Sequence, residues 1–469
     1  MIALAVGDMA TVLGARVLGD PELVVSGSVE TDSRLITGGS IFVALRGETT
    51  DGHRFASAAV EAGAALVIAE RELELPVPVL VVDDAVTALS DLAREVVARV
   101  RALGRLSVIA VTGSNGKTTT KNLLDAVLEK EGPTIAPPGS FNNHVGAPHS
   151  MLRVDEDTAY LVVEMGASAE GEIARLVSIV MPDVAIVLKV GMAHAGVFGG
   201  IEATARAKSE IVRELPETAV AVLNMDDPRV AAMTDATHAR VVGFGLGAHA
   251  AVGAGLRAED VRMSLSGTSF DLVVEEDRFP VHLQILGEHH VYNALAAITA
   301  VRELGIPLDR SIAALETVPR AERWRMERFE TPQGITVIND AYNASPDSMA
   351  AALRTLAQLA GDTGRRSVAI LGEMAELGEY AEDEHDRIGR LAVRLDIKKL
   401  VVVGSGARHI HLAAGLEGSW DGESVLIATT DEAFAYLQDE LRPSDVVLVK
   451  SSKSAQLRFL GDRLAGVTG

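Results

Sequence analysis

Residues 106–121 read LSVIAVTGSNGKTTTK, and the rest of the chain is best read outward from them. The apolar run ending at Val111 predicts a buried strand, Gly113 and Gly116 a tight turn, and Lys117 the start of a helix. In that helix Leu123, Leu124, Val127 and Leu128 recur at helical spacing until Gly132-Pro133 stops the run. A turn of this kind aims backbone N–H groups and the positive end of a helix dipole at one point, which suits an anion. Lys117 adds a point charge for β/γ-phosphates and Thr118 a hydroxyl for Mg2+. The general phosphate-loop pattern puts four residues between its first Gly and the Gly-Lys pair. Here Val111 holds that first position, leaving the shorter G-S-N-G-K-T from Gly113 to Thr118. The segment Gly113, Ser114, Asn115, Gly116, Lys117, Thr118 and Thr119 is thus expected to cradle nucleotide phosphates.

Around this loop the chain falls into three segments. Residues 1–84 read as short strands and turns, a helix-like HRFASAAVEAGA, and the strands ALVIAE and VPVLVV. Residues 85–318 open with a linking helix over 85–104 and continue with strands AYLVVEMG, DVAIVLKVG and AVAVLNMDD, each ending at a polar residue. In open parallel sheets ligands collect outside the carboxyl ends of strands. Residues 258–286 read instead as a β-hairpin insertion, with FDLVVEE and FPVHLQIL alternating. Residues 319–469 alternate five apolar strands with helices, the pattern of a doubly wound parallel sheet. Three α/β domains are expected.

Composition narrows the function. The 469-residue chain has a net charge of −22, which argues against a nucleic-acid surface and an anionic membrane. It also requires local cations wherever phosphates are to gather. Cys is absent, which excludes disulfides, thiolate metal sites and a Cys nucleophile and fits a reducing cytosol. No apolar run reaches membrane-spanning length, and Asp8 in a stretch without a basic flank argues against a signal peptide. Glu164 ends the strand LVVE beside the phosphate loop, where a carboxylate could share Mg2+ with Thr118. His194, in a Gly-rich loop, and Lys208, on a helical stretch, are unremarked by pattern alone; a helical Lys usually faces solvent. Asp340, Tyr342 and Asn343 follow a strand in NDAYNASPDSM, a turn and helix start, and Asn293 reads as a helix-capping or packing residue.

In order along the chain stand TDSR (31–34), FVALRGETTDGHRF (42–55), VTGSNGKTTTK (111–121), FNNHVGAP (141–148) and VEMGAS (163–168). GEHHVYNALAA (287–297), NDAYNASPDSMAAAL (339–353) and ILGEMAELGEYAEDEH (370–385) follow. With these motifs the chain resembles the Mur ligases of bacterial cell-wall synthesis over nearly its whole length. The resemblance implies a small α/β UDP-sugar domain, a central P-loop-type, mostly parallel ATPase domain, and a C-terminal Rossmann-like domain. It further implies an ATP-dependent amide ligase working through an acyl phosphate. The last two motifs resemble those of family members that join D-alanyl-D-alanine to UDP-N-acetylmuramoyl-tripeptide, and the Asp-Asn-Pro-Arg motif of diamino-acid-adding members is missing.

Residue by residue, the resemblance implies ATP phosphates on Lys117 and its loop, one Mg2+ on Thr118 and Glu164, and a second on His194 and Lys208. Lys208 would carry a carbamate made from CO2, which turns a cation into an oxygen ligand. Asn293 resembles the adenine contact, Arg325 the arginine reaching the nucleotide phosphates, and Asp340 the ribose-side contact. Ser33, Arg34, Arg46 and the Asp51-Gly52-His53 turn belong to the segment that takes the UDP-sugar. Asn142, Asn143, Tyr342 and Asn343 stand in motifs expected to meet substrate. A cytoplasmic monomer is expected. A ligase resembling folylpolyglutamate synthetase, another Mur ligase, or a non-catalytic ATP switch are the alternatives at this stage. The family's usual Asn gives way to His290 in the adenine motif and to Ser345 after DAYNA.

Overall fold

The computed structural model describes residues 1–47, 50–137, 139–191, 200–250, 252–253, 255–417 and 420–467. Three larger sheets follow one another along the chain. The first, five-stranded, runs in the order Arg16–Leu18, Val79–Val81, Leu66–Ala69, Ile41–Val43, Val29–Glu30. Only Arg16–Leu18 is antiparallel to its neighbour. The N-terminal stretch is not strand alone: Val6–Leu13 is a helix closed by Gly14 at φ +59°.

Asp84 then caps the helix Ala85–Ala102 by accepting from Thr87 N. Its buried stripe, from Ala85 through Leu89, Leu92 and Val96 to Val100, packs in one cluster with Ile41, Leu66 and Leu80 of the first sheet. The same cluster takes in Val108, Ala110, Leu161 and Val163 of the second sheet.

The second sheet has nine strands, and Ser107–Thr112 lies inside it between Tyr160–Glu164 and Val184–Val187. All strands from Thr134–Ile135 across to Leu256–Ser264 run parallel. Alternate residues of the central strand point to opposite layers. Val108 and Ala110 join the cluster just named, while Ile109 and Val111 pack with Leu123, Leu124 and Val127 of the helix Lys117–Leu128. From Ser107–Thr112 the chain fills one side of the sheet and then crosses to the other, so strand order reverses at this strand. The crevice at its carboxyl end is the switch point where open α/β sheets bind ligands. The expected hairpin over 258–286 is larger in the structure. Leu256–Ser264, Gly267–Val274 and Asp277–Leu283 form an antiparallel meander continuous with the main sheet. Its first strand, LRAEDVRMS, carries four charges and a bulge between Glu259 and Arg262, which hid its alternation.

The third sheet runs Glu327–Glu330, Thr336–Asn339, Val446–Lys450, Ser367–Leu371, Lys399–Val403, Glu423–Ile427. The five strands expected from sequence are parallel, and Glu327–Glu330 adds an antiparallel edge. Its last strand in sequence inserts between the second and third, so Asn339 and Val449 are direct neighbours. The carboxyl ends of these strands face the phosphate loop. No described helix is long and apolar enough to cross a membrane.

Candidate functional site

The phosphate loop is held open by glycine geometry. Gly116, at φ +89°, caps the helix Lys117–Leu128, and a Cβ there would collide with Asn293 Oδ1 and come 3.1 Å from Leu188 Cδ1. Only a residue without a side chain fits. Ser114 Oγ accepts from Gly191 N at 2.9 Å and donates to Gly191 O at 3.2 Å, tying the turn to the neighbouring strand's end. Lys117 Nζ donates to Gly113 O at 2.7 Å. Burial pushes its pKa down, opposed by Glu164 and reinforced by Arg325.

Strand register explains why Glu164 is here. Tyr160–Glu164 pairs with the central strand so that Glu164 lies opposite Val111, just before the loop. Thr118 Oγ1 lies 3.0 Å from Glu164 Oε2, as donor, and 2.9 Å from Ser140 Oγ. Asn142 Nδ2 donates to Glu164 Oε1 at 2.7 Å. These are hard oxygens, few in number. Among the described residues no three His, Asp or Glu side chains gather as a metal cage. That donor set fits Mg2+, which takes one or two protein oxygens and completes its shell with phosphate and water.

The third sheet supplies the opposite wall. Arg325 donates to Thr118 Oγ1 at 3.2 Å and lies flat over the Tyr342 ring, 4.4 Å from its centroid. Its Nε is buried and has no hydrogen-bond partner among the described residues. An orphan guanidinium donor beside a phosphate loop fits a phosphoryl oxygen. Tyr342 Oη donates to Ser140 Oγ at 3.4 Å. Asp340 lines the cavity too, but its carboxylate already accepts from Lys450 Nζ at 2.6 Å and from Met326 N at 3.0 Å. Asn343 offers its carbonyl to Lys450 at 3.1 Å. Ser345 caps the helix Pro346–Thr363 with a reciprocal bond to Ser348 and donates to Asn115 Oδ1 at 3.3 Å, so the two domains touch at the loop itself.

These groups enclose a cavity of about 510 Å³. Asn293, on the second turn of the helix Glu288–Glu303, lines it between Gly116 and His290. Burial lowers the His289 pKa to about 4 and pushes that of His290 well below its usual value, which favours neutral rings there. His290 Nδ1 lies 3.2 Å from Asn293 Nδ2, while its Nε2 is buried without a partner among the described residues. The rings, Lys189 and Lys450 are members of the cavity wall that pattern did not single out.

Lys208 reverses the expectation of a solvated helical face. On the helix Ile201–Arg213 it is only 3% exposed, and burial, with Lys117 adding to it, lowers its pKa to about 7. His194 lies outside the described residues. Asn142 lines the cavity, whereas Asn143 turns its Oδ1 to the N–H groups of Val145 and Gly146 and starts a helix there.

The expected UDP-sugar residues form a separate group on the first sheet and do not line this cavity. His53 Nδ1 meets Asp51 at 2.6 Å while its Nε2 accepts from Glu70 N at 2.9 Å. Arg46 pairs with Glu70 at 2.9 Å, and Arg71 with Asp51 at 3.1 Å. The hydrogen bonds from His53 hold the Asp51 carboxyl at about 2. Gly52 packs against Leu45, where a Cβ would have no room. Ser33 opens a short turn with Arg34, whose exposed guanidinium pairs with Asp32 at 2.6 Å.

A phosphate loop at a sheet's switch point, faced across a cation-rich cavity by a Rossmann-like sheet, defines a nucleotide-dependent enzyme that works between domains. The chain belongs to the Mur ligase family. Residues 27–107 match the Mur ligase family catalytic domain, residues 111–301 the Mur ligase middle domain, and residues 324–453 the Mur ligase glutamate ligase domain. The UDP-N-acetylmuramoyl-tripeptide--D-alanyl-D-alanine ligase of Mycobacterium tuberculosis is 43% identical, over 99% of this chain and 98% of the relative. The MurF crystal structure from Acinetobacter baumannii superposes with a TM-score of 0.88 at 30% identity, covering 99% of each chain. MurF ligase from Thermotoga maritima in complex with ADP superposes at 0.80 with 28% identity, over 94% of this chain and 97% of that one.

Proposed function

We propose that this protein is an ATP-dependent amide ligase that joins D-alanyl-D-alanine to UDP-N-acetylmuramoyl-tripeptide, giving the UDP-linked pentapeptide precursor of peptidoglycan. The supporting observation is the convergence of Lys117, Thr118 and Glu164 from one sheet with Arg325 and Tyr342 from another. The full-length likeness to relatives bearing that ligase name supports the choice of substrates.

A carboxylate is a poor electrophile, so the tripeptide's terminal carboxylate is first activated. One of its oxygens attacks the γ-phosphorus of ATP, the bond from γ-phosphorus to the β-phosphate bridging oxygen breaks, and ADP departs. The amino nitrogen of D-alanyl-D-alanine then attacks the acyl carbon; the carbon–oxygen bond to phosphate breaks and a proton goes to solvent. Such transfers are accelerated mainly by positioning and charge stabilisation. Lys117 releases Gly113 O to meet the phosphates, and Arg325 presents its orphan Nε to a phosphoryl oxygen. Thr118 and Glu164 would hold one Mg2+ and His194 and a carbamylated Lys208 a second. The chemistry Mg2+ would supply there is neutralisation of charge developing on the transferred phosphoryl group.

Lys208 suits the carbamate chemically. With its pKa near 7, a sizeable share of its amine is neutral, and that form adds to CO2 and loses a proton. The first-sheet cluster around Asp51 and His53 would receive the UDP-sugar. The enzyme acts as a monomer in the cytoplasm on this reading.

Phosphate release from Mg2+-ATP, measured with and without each substrate, tests the proposal. Release that needs both substrates, together with a pentapeptide product by mass, is the expected result. Release that ignores both would overturn it in favour of an ATP switch.

A further inference from the structure

Lys121 follows Thr118 by one turn of the helix Lys117–Leu128 and is 2% exposed. Taking an ammonium out of water is costly unless its donors are used. Lys121 spends them on main chain: Nζ donates to Pro137 O at 2.6 Å and to Gly139 O at 3.4 Å. Arg153 donates to Ala136 O, just before this stretch, at 3.4 Å. The stretch leads directly to Ser140 and Asn142, whose side chains meet Thr118 Oγ1 at 2.9 Å and Glu164 Oε1 at 2.7 Å. The charge is also felt by Glu164, Glu322 and Asp125, while burial lowers its pKa.

We infer that Lys121 is a positioning residue of the nucleotide site: it ties the carbonyls of Pro137 and Gly139 so that Ser140 and Asn142 fix the oxygens of Thr118 and Glu164. It touches neither nucleotide nor metal. The inference rests on the reading of this cavity as an Mg2+-nucleotide site, whose residues fit that role. Groups that orient ligand oxygens from behind are typically worth about 10- to 100-fold in metal affinity.

Titration calorimetry of the full-length protein with ADP, in Mg2+ and in EDTA, tests it. Lys121→Met is expected to weaken ADP binding about 10- to 100-fold in Mg2+ and to leave binding in EDTA nearly unchanged. A merely structural role would weaken both alike. Lys121→Gln, which keeps a carbonyl-directed donor without charge, is expected to fall between, and it carries the test if the Met variant does not fold. In an Asn142→Ala background Lys121→Met should cost less than it does alone, because the part of its effect that runs through Asn142 to Glu164 is already lost. Wild-type Mg2+ dependence in both Lys121 variants would overturn the inference alone. Absence of ADP binding by the wild-type protein would overturn the nucleotide reading, and this inference with it.

Discussion

Gly116→Ala isolates what the phosphate loop demands of its backbone. At φ +89° an L-residue pays the left-handed penalty, roughly 1–2 kcal/mol. The new methyl also meets Asn293 Oδ1 and Cγ and Leu188 Cδ1, the last two at 3.3 and 3.1 Å. Asn293 is 4% exposed and bonded to His290, so it has little room to retreat. Overpacking of this sort costs about 1–3 kcal/mol. Together the two effects predict a loss of about 2–5 kcal/mol and a melting temperature lower by about 5–15 °C. The double variant Gly116→Ala/Asn293→Ala removes the collision with the amide but keeps the dihedral penalty. Its loss should therefore fall short of the sum of the singles by about 0.5–3 kcal/mol. Thermal melts of the four proteins, read by circular dichroism, measure the cycle. If Gly116→Ala costs less than about 0.5 kcal/mol, the scatter of neutral surface changes, the reasoning fails.

Lys117→Ala should cut phosphate release at least about 100-fold while leaving the melting temperature unchanged or higher, since a desolvated ammonium is removed; stopped turnover with an unfolded protein would count against it. Arg325→Lys keeps the charge but loses the planar stack on Tyr342 and the forked donors, so kcat should fall about 10- to 100-fold with little change in KM for D-alanyl-D-alanine. Lys208 has its folded pKa lowered to about 7 from the usual lysine value of 10.5. Between these values the unfolded chain binds the extra proton, so stability rises with pH across that window. Below about pH 7 both states are protonated and the cost of the buried charge is fully felt. In CO2-depleted buffer near pH 7, Lys208→Met should therefore melt above wild type. Wild-type turnover should fall on CO2 depletion and recover with bicarbonate, and indifference to bicarbonate would refute the carbamate.

The phosphate loop was legible because its constraint is local: a glycine where φ must be positive, then a lysine and a threonine at fixed spacing. Glu164 was legible too, since a strand-end carboxylate beside the loop follows from parallel pairing of neighbouring strands. Lys121 and Lys450 carry no such signal. Their partners, Pro137 and Asp340, lie 16 and 110 residues away, and only folding brings them together. Pattern alone gives Lys208 no signal on its polar-looking helix, where the charged residues around it include Glu210, which turns inward to accept from Gly171 and Ala174; only the family resemblance singled it out. The edge strand Glu327–Glu330, sequence ERFE, is too short and too charged to show alternation. Asn143 reads like a ligand residue next to Asn142, yet its side chain closes a turn. Neighbouring asparagines differ in role here through direction alone.

The helix Ala85–Ala102 has a thermodynamic consequence. Its apolar stripe belongs to the cores of the first and second sheets at once, so neither sheet can lose packing without exposing the other's. The buried residues of the C-terminal sheet's two clusters are, Leu286 apart, its own, and Met263 and Leu265 of the second sheet's meander pack against one of them. Architecture counts three domains, but cooperativity counts two blocks. The block holding the phosphate loop and the first sheet shares one core, and the C-terminal block joins it through a small apolar seam of Leu286, Met263 and Leu265.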